Sequence, residues 1–207
     1  MDTRPLPRSF YSREPALVAH ALIGKQLIRI LDDVTVVCRV VETEAYRGPA
    51  DAASHAYRGP TARNFPMFGP PGHTYVYFIY GVHWMFNIAA HPAGTPGAVL
   101  IRAVEPLSGL DVLRRHRSHQ GQGTRCVRPQ RDADLTNGPA KLAQALDLTG
   151  DHNDLDLCSG TTLTVVDGAL APNEIVMAGP RVRIPGGEDA QARPWRFWIA
   201  ENPWVSP

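Results

Sequence analysis

Residues 40–57 read Val-Val-Glu-Thr-Glu-Ala-Tyr-Arg-Gly-Pro-Ala-Asp-Ala-Ala-Ser-His-Ala-Tyr, and residues 72–87 read Gly-His-Thr-Tyr-Val-Tyr-Phe-Ile-Tyr-Gly-Val-His-Trp-Met-Phe-Asn. The second stretch reads as two strands, Thr74–Tyr80 and Trp84–Ala90, folded into a hairpin around Gly81. In an extended Val40–Tyr46 segment side chains alternate, so Glu42, Glu44 and Tyr46 share one face. Two acids buried together repel, so one is expected to reach solvent or to pair with a cation such as Arg39 or Arg102. Tyr75 and Tyr77 point one way from their strand and Tyr80 the other, whereas an ordinary amphipathic strand keeps its aromatics on one side. Tyr77 suits an interior pocket, while Tyr80 stands at the hairpin tip, where packing gains little.

Working outward, Ser12 is expected to cap a helix that runs to about Leu22, with Gly24 as its stop. Gln26–Leu31 and Val34–Thr43 read as strands joined at Asp32-Asp33. Residues 47–72, rich in Gly, Pro, Ala and Arg, are too long for a simple connection and read as a functional loop. Ala98–Val104 is another strand, and Leu107–Arg115 and Pro139–Leu146 are helices, the second entered through Asn137-Gly138. Leu163–Val166, Arg181–Ile184 and Arg196–Ala200 read as closing strands. The expected fold is α+β: residues 10–207 form a single mixed domain with a mostly antiparallel curved sheet, short flanking helices and a protruding β-hairpin. Residues 1–9, polar and proline-rich, are expected to be a flexible tail.

At 207 residues with 43% hydrophobic and 20% charged side chains, the chain has the makeup of one globular domain with its own core. Its net charge of +1 favours no class of partner. The distribution says more: residues 114–131 contain Arg114, Arg115, Arg117, Arg125, Arg128 and Arg131 and no acid, which suits a polyanion or equally a solvated loop. Three scattered cysteines without a CxxC spacing, no signal-like N-terminus and no bilayer-length apolar run lead us to expect a cytoplasmic protein outside the membrane.

A carboxylate beside flat π surfaces suits an enzyme that holds a planar base and attacks the bond behind it. Protruding aromatics such as Tyr80 wedge into nucleic-acid stacks, although a surface or protein-contact aromatic reads the same way in sequence. His55, His73, His83 and His91 match no zinc spacing, so no metal site is expected. No nucleophile elbow, Walker loop or dinucleotide fingerprint is present. Two other readings stay open on the residues alone. One is a non-catalytic nucleic-acid-binding module, and the other a carbohydrate hydrolase with Glu42 and Glu44 as paired carboxylates.

The ordered set Val41-Glu42-Thr43-Glu44-Ala45-Tyr46, Gly48-Pro49, His55, Tyr75-Val76-Tyr77, Tyr80-Gly81, Asn87 and Leu100-Ile101-Arg102-Ala103-Val104-Glu105-Pro106 resembles the alkyladenine DNA glycosylase family, the 3-methyladenine DNA glycosylases of the mammalian type. The likeness continues through Gly138-Pro139-Ala140-Lys141-Leu142 and Pro203-Trp204-Val205-Ser206. It departs at Val82–Met85, Gln120–Arg125 and Arg183-Ile184-Pro185. The resemblance implies a monofunctional DNA glycosylase that flips alkylated or deaminated purines from double-stranded DNA and hydrolyses the N-glycosylic bond, starting base excision repair. It implies Glu44 as the base that activates water, with Arg102 and the Val182 carbonyl helping to place it. Tyr46, His55 and Tyr77 are implied as the stacking pocket, with His55 reading the purine edge through its amide. Asn87 would then exclude guanine, and Tyr80 would fill the gap in the duplex. No cofactor is implied, and a monomer acting on DNA (on the nucleoid, in a bacterium) is expected.

Overall fold

The computed structural model describes residues 4–31, 33–118, 131–160 and 162–207. Its centre is a hairpin of β1 (Gln26–Leu31) and β2 (Val34–Arg47). Burial alternates over the first residues of β2 and then becomes continuous from Val40 to Ala45, because that half is covered on both faces. The helix α2 (Pro15–Leu22) lies on one face, where the Thr43 hydroxyl donates to the Ala19 carbonyl at 2.9 Å. On the other face sit Glu42, Glu44 and Tyr46.

The remaining strands are β3 (Thr74–Ile79), β4 (His83–Ala89), β5 (Gly97–Ser108), β6 (Leu163–Val166), β7 (Val176–Gly179) and β8 (Arg196–Ile199). They form one antiparallel sheet in the order β3-β4-β5-β2-β1-β6, with β8 joined to β2 and β7 to β8. β2 is long enough to pair with β1 through its first half and with β8 at Glu42–Glu44. The register places Tyr75 opposite Asn87, Asn87 opposite Leu100, Leu100 opposite Glu44, and Glu44 opposite Arg196. Opposed residues of antiparallel strands project to the same face, so this row gathers residues from five strands on one surface.

The sheet is irregular where the chemistry collects. Between β2 and β5 the partners run Val40↔Val104, Glu42↔Ala103 and Thr43↔Ile101, leaving Val41 and Arg102 without an opposite number. Such bulges bend a strand and re-aim its side chains, here Arg102. The hairpin is expected and found: β3 stops at Ile79 rather than Tyr80, and β4 begins and ends one residue earlier than its sequence reading. Its turn has positive φ at both Tyr80 (54°) and Gly81 (67°), and the left-handed conformation is uncommon for a bulky side chain.

Several elements differ from expectation. Ser12 does not begin a helix: α1 (Arg8–Tyr11) ends there, and α2 starts afresh at Pro15, whose missing N–H suits a first turn. β5 continues to Ser108, so the helix α3 begins later, at Leu110, and reaches Ser118. Arg181–Ile184 is not a strand. The last ladder before β8 is β7, and residues 181–184 leave the sheet to make site contacts, with Arg183 at φ 52°. The remaining helices are α4 (Pro139–Ala145) and α5 (Gly187–Ala192). Within the stretch 1–9, Pro5 bridges Val166, and buried Leu6 donates to the Val165 carbonyl; residues 1–3 lie outside the described part.

The core fills the space between α2, α4 and the sheet, with Tyr11, Leu22, Phe86, Ile88, Ile101, Leu113, Leu142 and Leu146 fully enclosed. The loop 47–72 is tied down by buried polar side chains. Asn64 donates to the carbonyls of His55 (2.8 Å) and Gly59 (3.0 Å) and accepts from the Thr61 amide. Of the basic stretch 114–131, Arg114 pairs with Asp111 and Asp132 and Arg131 with Asp134, while residues 119–130 lie outside the described part.

Candidate active site

Glu42 and Glu44 are both fully buried, and neither reaches solvent. Arg39, one cation proposed for them, is engaged instead with Glu105 and Glu174. Arg102 serves both: its Nε donates to Glu42 Oε1 at 2.9 Å and its terminal nitrogen lies 3.3 Å from Glu44 Oε1. Burial pulls the Arg102 pKa down, but Glu44 and Glu42 outweigh burial and hold it raised.

The two acids differ in what remains open to them. Glu42 accepts from Arg102, from Arg196 Nε at 2.6 Å, and from both the amide (2.8 Å) and the hydroxyl (2.9 Å) of Ser206. With four donors, two of them guanidinium nitrogens, it is the more fully engaged of the two acids, and the paired-carboxylate reading of this segment fails on it. Glu44 accepts the Val182 amide at 2.7 Å on Oε1 and the Tyr46 hydroxyl at 2.8 Å on Oε2. Val182 therefore presents its N–H, not its carbonyl, to this carboxylate. Burial first, and Glu44 second, raise the Tyr46 pKa far above the ordinary phenol value, so Tyr46 remains a proton donor.

Beyond Tyr46 lies a small aromatic cavity of about 20 Å³, bounded by Tyr46, His55, Met67, Tyr75, Tyr77 and Asn87 and floored by Ala98. Glu44 does not line it; it sits behind the Tyr46 hydroxyl. His55 and Tyr77 touch edge to face, centroids 4.7 Å apart, and Tyr75 and Tyr77 are 5.0 Å apart at 32°. A planar base needs about 3.5 Å on each side of its plane, so none can enter between His55 and Tyr77, whose rings are already in contact. The cavity has room for about one water, and a base would have to part its walls. The Asn87 amide donates to the Tyr75 carbonyl at 3.1 Å, which fixes its orientation at the cavity edge. His55 Nδ1 is 2.8 Å from the Tyr75 hydroxyl, and burial, then Arg63, lowers its pKa and keeps the ring neutral.

Outside His55 opens a cleft of about 580 Å³, bordered by Tyr57, Arg58, Arg63, Asn64 and Gly186 among others. Tyr80 stands apart from both cavities at the hairpin tip, 85% exposed. The structure thus brings Glu44, Arg102, Val182 and Tyr46 together, sets His55, Tyr77 and Asn87 around the adjoining cavity, and leaves Tyr80 free.

Sequence reasoning did not single out Asp51, Arg196 or Ser206. Arg181, Asp51 and their bidentate ion pair (2.6 and 2.8 Å) are wholly buried. Arg181 also donates to the Ala45 carbonyl and lies 4.7 Å from the Tyr46 ring centroid, clamping the loop 47–72 and Val182 to β2. No local pattern flags such residues, because their partners are more than a hundred positions away.

The pattern of the methylpurine-DNA glycosylase (MPG) family matches residues 9–203 of this chain. The chain belongs to the methylpurine-DNA glycosylase family. As a member it is a DNA glycosylase, a hydrolase of N-glycosyl bonds that acts in base excision repair. Relatives provisionally named 3-methyladenine DNA glycosylases bear this out. One from Streptomyces avermitilis is 43% identical over all of this chain and 92% of its own length. One from Bacillus mycoides is 40% identical over 97% of this chain and 98% of its own, and one from Anaeromyxobacter dehalogenans is 42% identical over 97% and 85%. Methylpurine-DNA glycosylase membership, with the α+β sheet, agrees with the likeness read from the sequence. No described helix is long and apolar enough to cross a membrane.

Proposed function

We propose that this glycosylase takes damaged purines, alkylated or deaminated, from double-stranded DNA by everting the nucleotide into the cavity beside Tyr46, with Glu44 as the general base. One observation carries the reading: a buried carboxylate, held by the Val182 amide and Arg102, accepts the hydroxyl of Tyr46, and Tyr46 itself lines a tyrosine-rich cavity. Parting of Tyr46 from the His55–Tyr77 wall opens a slot for a base and gives water access to the carboxylate. Glu44 then takes a proton from that water as it attacks the sugar C1′, and its charge stabilises the oxocarbenium character of the transition state. Arg102 holds the carboxylate in place and orients the water.

Alkylation at N3 or N7 makes a purine cationic, which strengthens contact with an aromatic face by about 0.5–2 kcal/mol and makes the base a better leaving group. Deaminated purines such as hypoxanthine lack that help and gain instead from weakened pairing, since eversion costs only a few kcal/mol. Asn87 at the cavity edge would meet the exocyclic amino group of guanine and reject it. Tyr80, exposed and in an uncommon backbone conformation, suits a side chain that occupies the vacated stack. The reading includes action as a monomer.

The test is a duplex with one 7-methylguanine or hypoxanthine, treated with hot alkali after incubation. Wild type is expected to give strand breaks, and Glu44→Gln to bind the lesion duplex but cut at least ~100-fold more slowly. No break at any alkylated or deaminated purine, or loss of binding together with excision in a folded Glu44→Gln protein, would sink the assignment.

A further inference from the structure

Two of the tyrosines that line the cavity each carry a guanidinium over the ring. Arg181 lies 4.7 Å from the Tyr46 centroid and Arg63 lies 4.9 Å from that of Tyr77. Their electrostatic settings differ. Arg181 is cancelled by its bidentate pair with Asp51. Arg63 has no carboxylate partner among the described residues; it is exposed and anchored only through polar contacts, including donation to the Phe78 carbonyl at 3.0 Å. Among the described residues, Arg63 is thus an uncompensated cation lying over the ring of a cavity wall. Its reach is visible in the neighbours, since its charge acts to lower the pKa values of His55, Tyr75 and Tyr77.

We infer that Arg63 is a specificity-determining residue that biases the enzyme towards neutral, deaminated purines and against cationic, alkylated ones. This rests on the purine-glycosylase reading of the same site. A guanidinium on one side of a tyrosine ring draws on the electron density that a cationic base would use on the other. It also repels a positively charged base directly, with the modest strength that an exposed, solvent-screened charge keeps at short range. A neutral base meets neither effect and stacks on Tyr77 by dispersion alone. Arg63 thus offsets the advantage that an aromatic pocket otherwise gives a cationic leaving group.

The experiment compares wild type with Arg63→Gln, which keeps a planar amide and removes the charge, in single-turnover excision of 7-methylguanine and of hypoxanthine from the same duplex context. The expected result is a rise of ~3- to 10-fold in the 7-methylguanine to hypoxanthine rate ratio. An equal fall for both lesions would assign Arg63 to phosphate binding and overturn the inference, as would an unchanged or reversed ratio. Wild type inert on both lesions would instead sink the purine-glycosylase reading, and this inference with it.

Discussion

The backbone amide of Val182 donates to Glu44 Oε1 at 2.7 Å, across 138 positions of sequence. That bond explains why residues 181–184 are not in a ladder: an amide committed to a carboxylate cannot also serve a strand. It also fixes one oxygen of Glu44, leaving the other to the Tyr46 hydroxyl. Glu44 is thus held by a backbone group that no substitution at 182 except proline removes.

Among the described residues, Tyr46 is the one neutral side chain that donates to that carboxylate. Tyr46→Phe keeps the ring and loses the bond to Oε2. Excision is expected to fall ~10-fold, in line with the ~1.5 kcal/mol of a hydrogen bond to a charged group, while lesion binding changes little. Single-turnover rates beside binding isotherms check this; a parallel loss of binding would make Tyr46 a stacking residue only.

The Asp51–Arg181 pair carries the clamp on Tyr46 and the 181–184 segment. Asp51→Asn leaves a buried guanidinium uncompensated and should destabilise the fold by ~3–5 kcal/mol. Thermal or urea unfolding reads this directly. A change below about 1 kcal/mol would show that water enters the site freely.

Stability should decline in strong alkali. Burial raises Tyr77 from an ordinary 10.0 to about 12, and raises Tyr46 and Tyr75 further. The unfolded chain releases these protons near pH 10, whereas the folded one retains them. The folded state is therefore favoured fully below pH 10 and loses ground as pH climbs through about 12. Urea midpoints between pH 9 and 12 should fall, and less steeply for Tyr77→Phe. Parallel slopes in the two proteins would contradict the burial of that phenol.

His55 should titrate below its usual 6.5, because burial and then Arg63 oppose its charge. Its neutral form gives stability that is present above that value and is lost as pH falls through the lower, folded one. The imidazole resonances of wild type should move at a lower pH than those of Arg63→Gln. Coincident curves would place the guanidinium too far from the ring to act.

Much of the sheet was legible because strand periodicity and turn chemistry are local. The hairpin about Gly81, β1, β6 and the start of α4 follow from alternation, left-handed turn positions and a first-turn proline. The boundary errors have local causes too: Pro15 overruled Ser12, and β5 outran its apolar core into Glu105–Ser108 because β2 continues alongside. The segment 181–184 was misread because its apolar–charged alternation imitates a strand, while its amide is spent on Glu44.

By itself, the sequence determined the antiparallel framework, the shared face of Glu42, Glu44 and Tyr46, and the family, since each depends on residues a few positions apart or on an ordered set of motifs. Only the tertiary structure decided which donors each acid receives: two guanidinium groups and Ser206 on Glu42, and Val182, Arg102 and the Tyr46 hydroxyl on Glu44. That outcome depends on Arg102 at a bulge, on Arg196 and Ser206 from the last strand and beyond, and on Val182, none of which is near residues 42–46 in the chain. Two glutamates of like charge and like burial are told apart only by the donors that long-range folding aims at each of them.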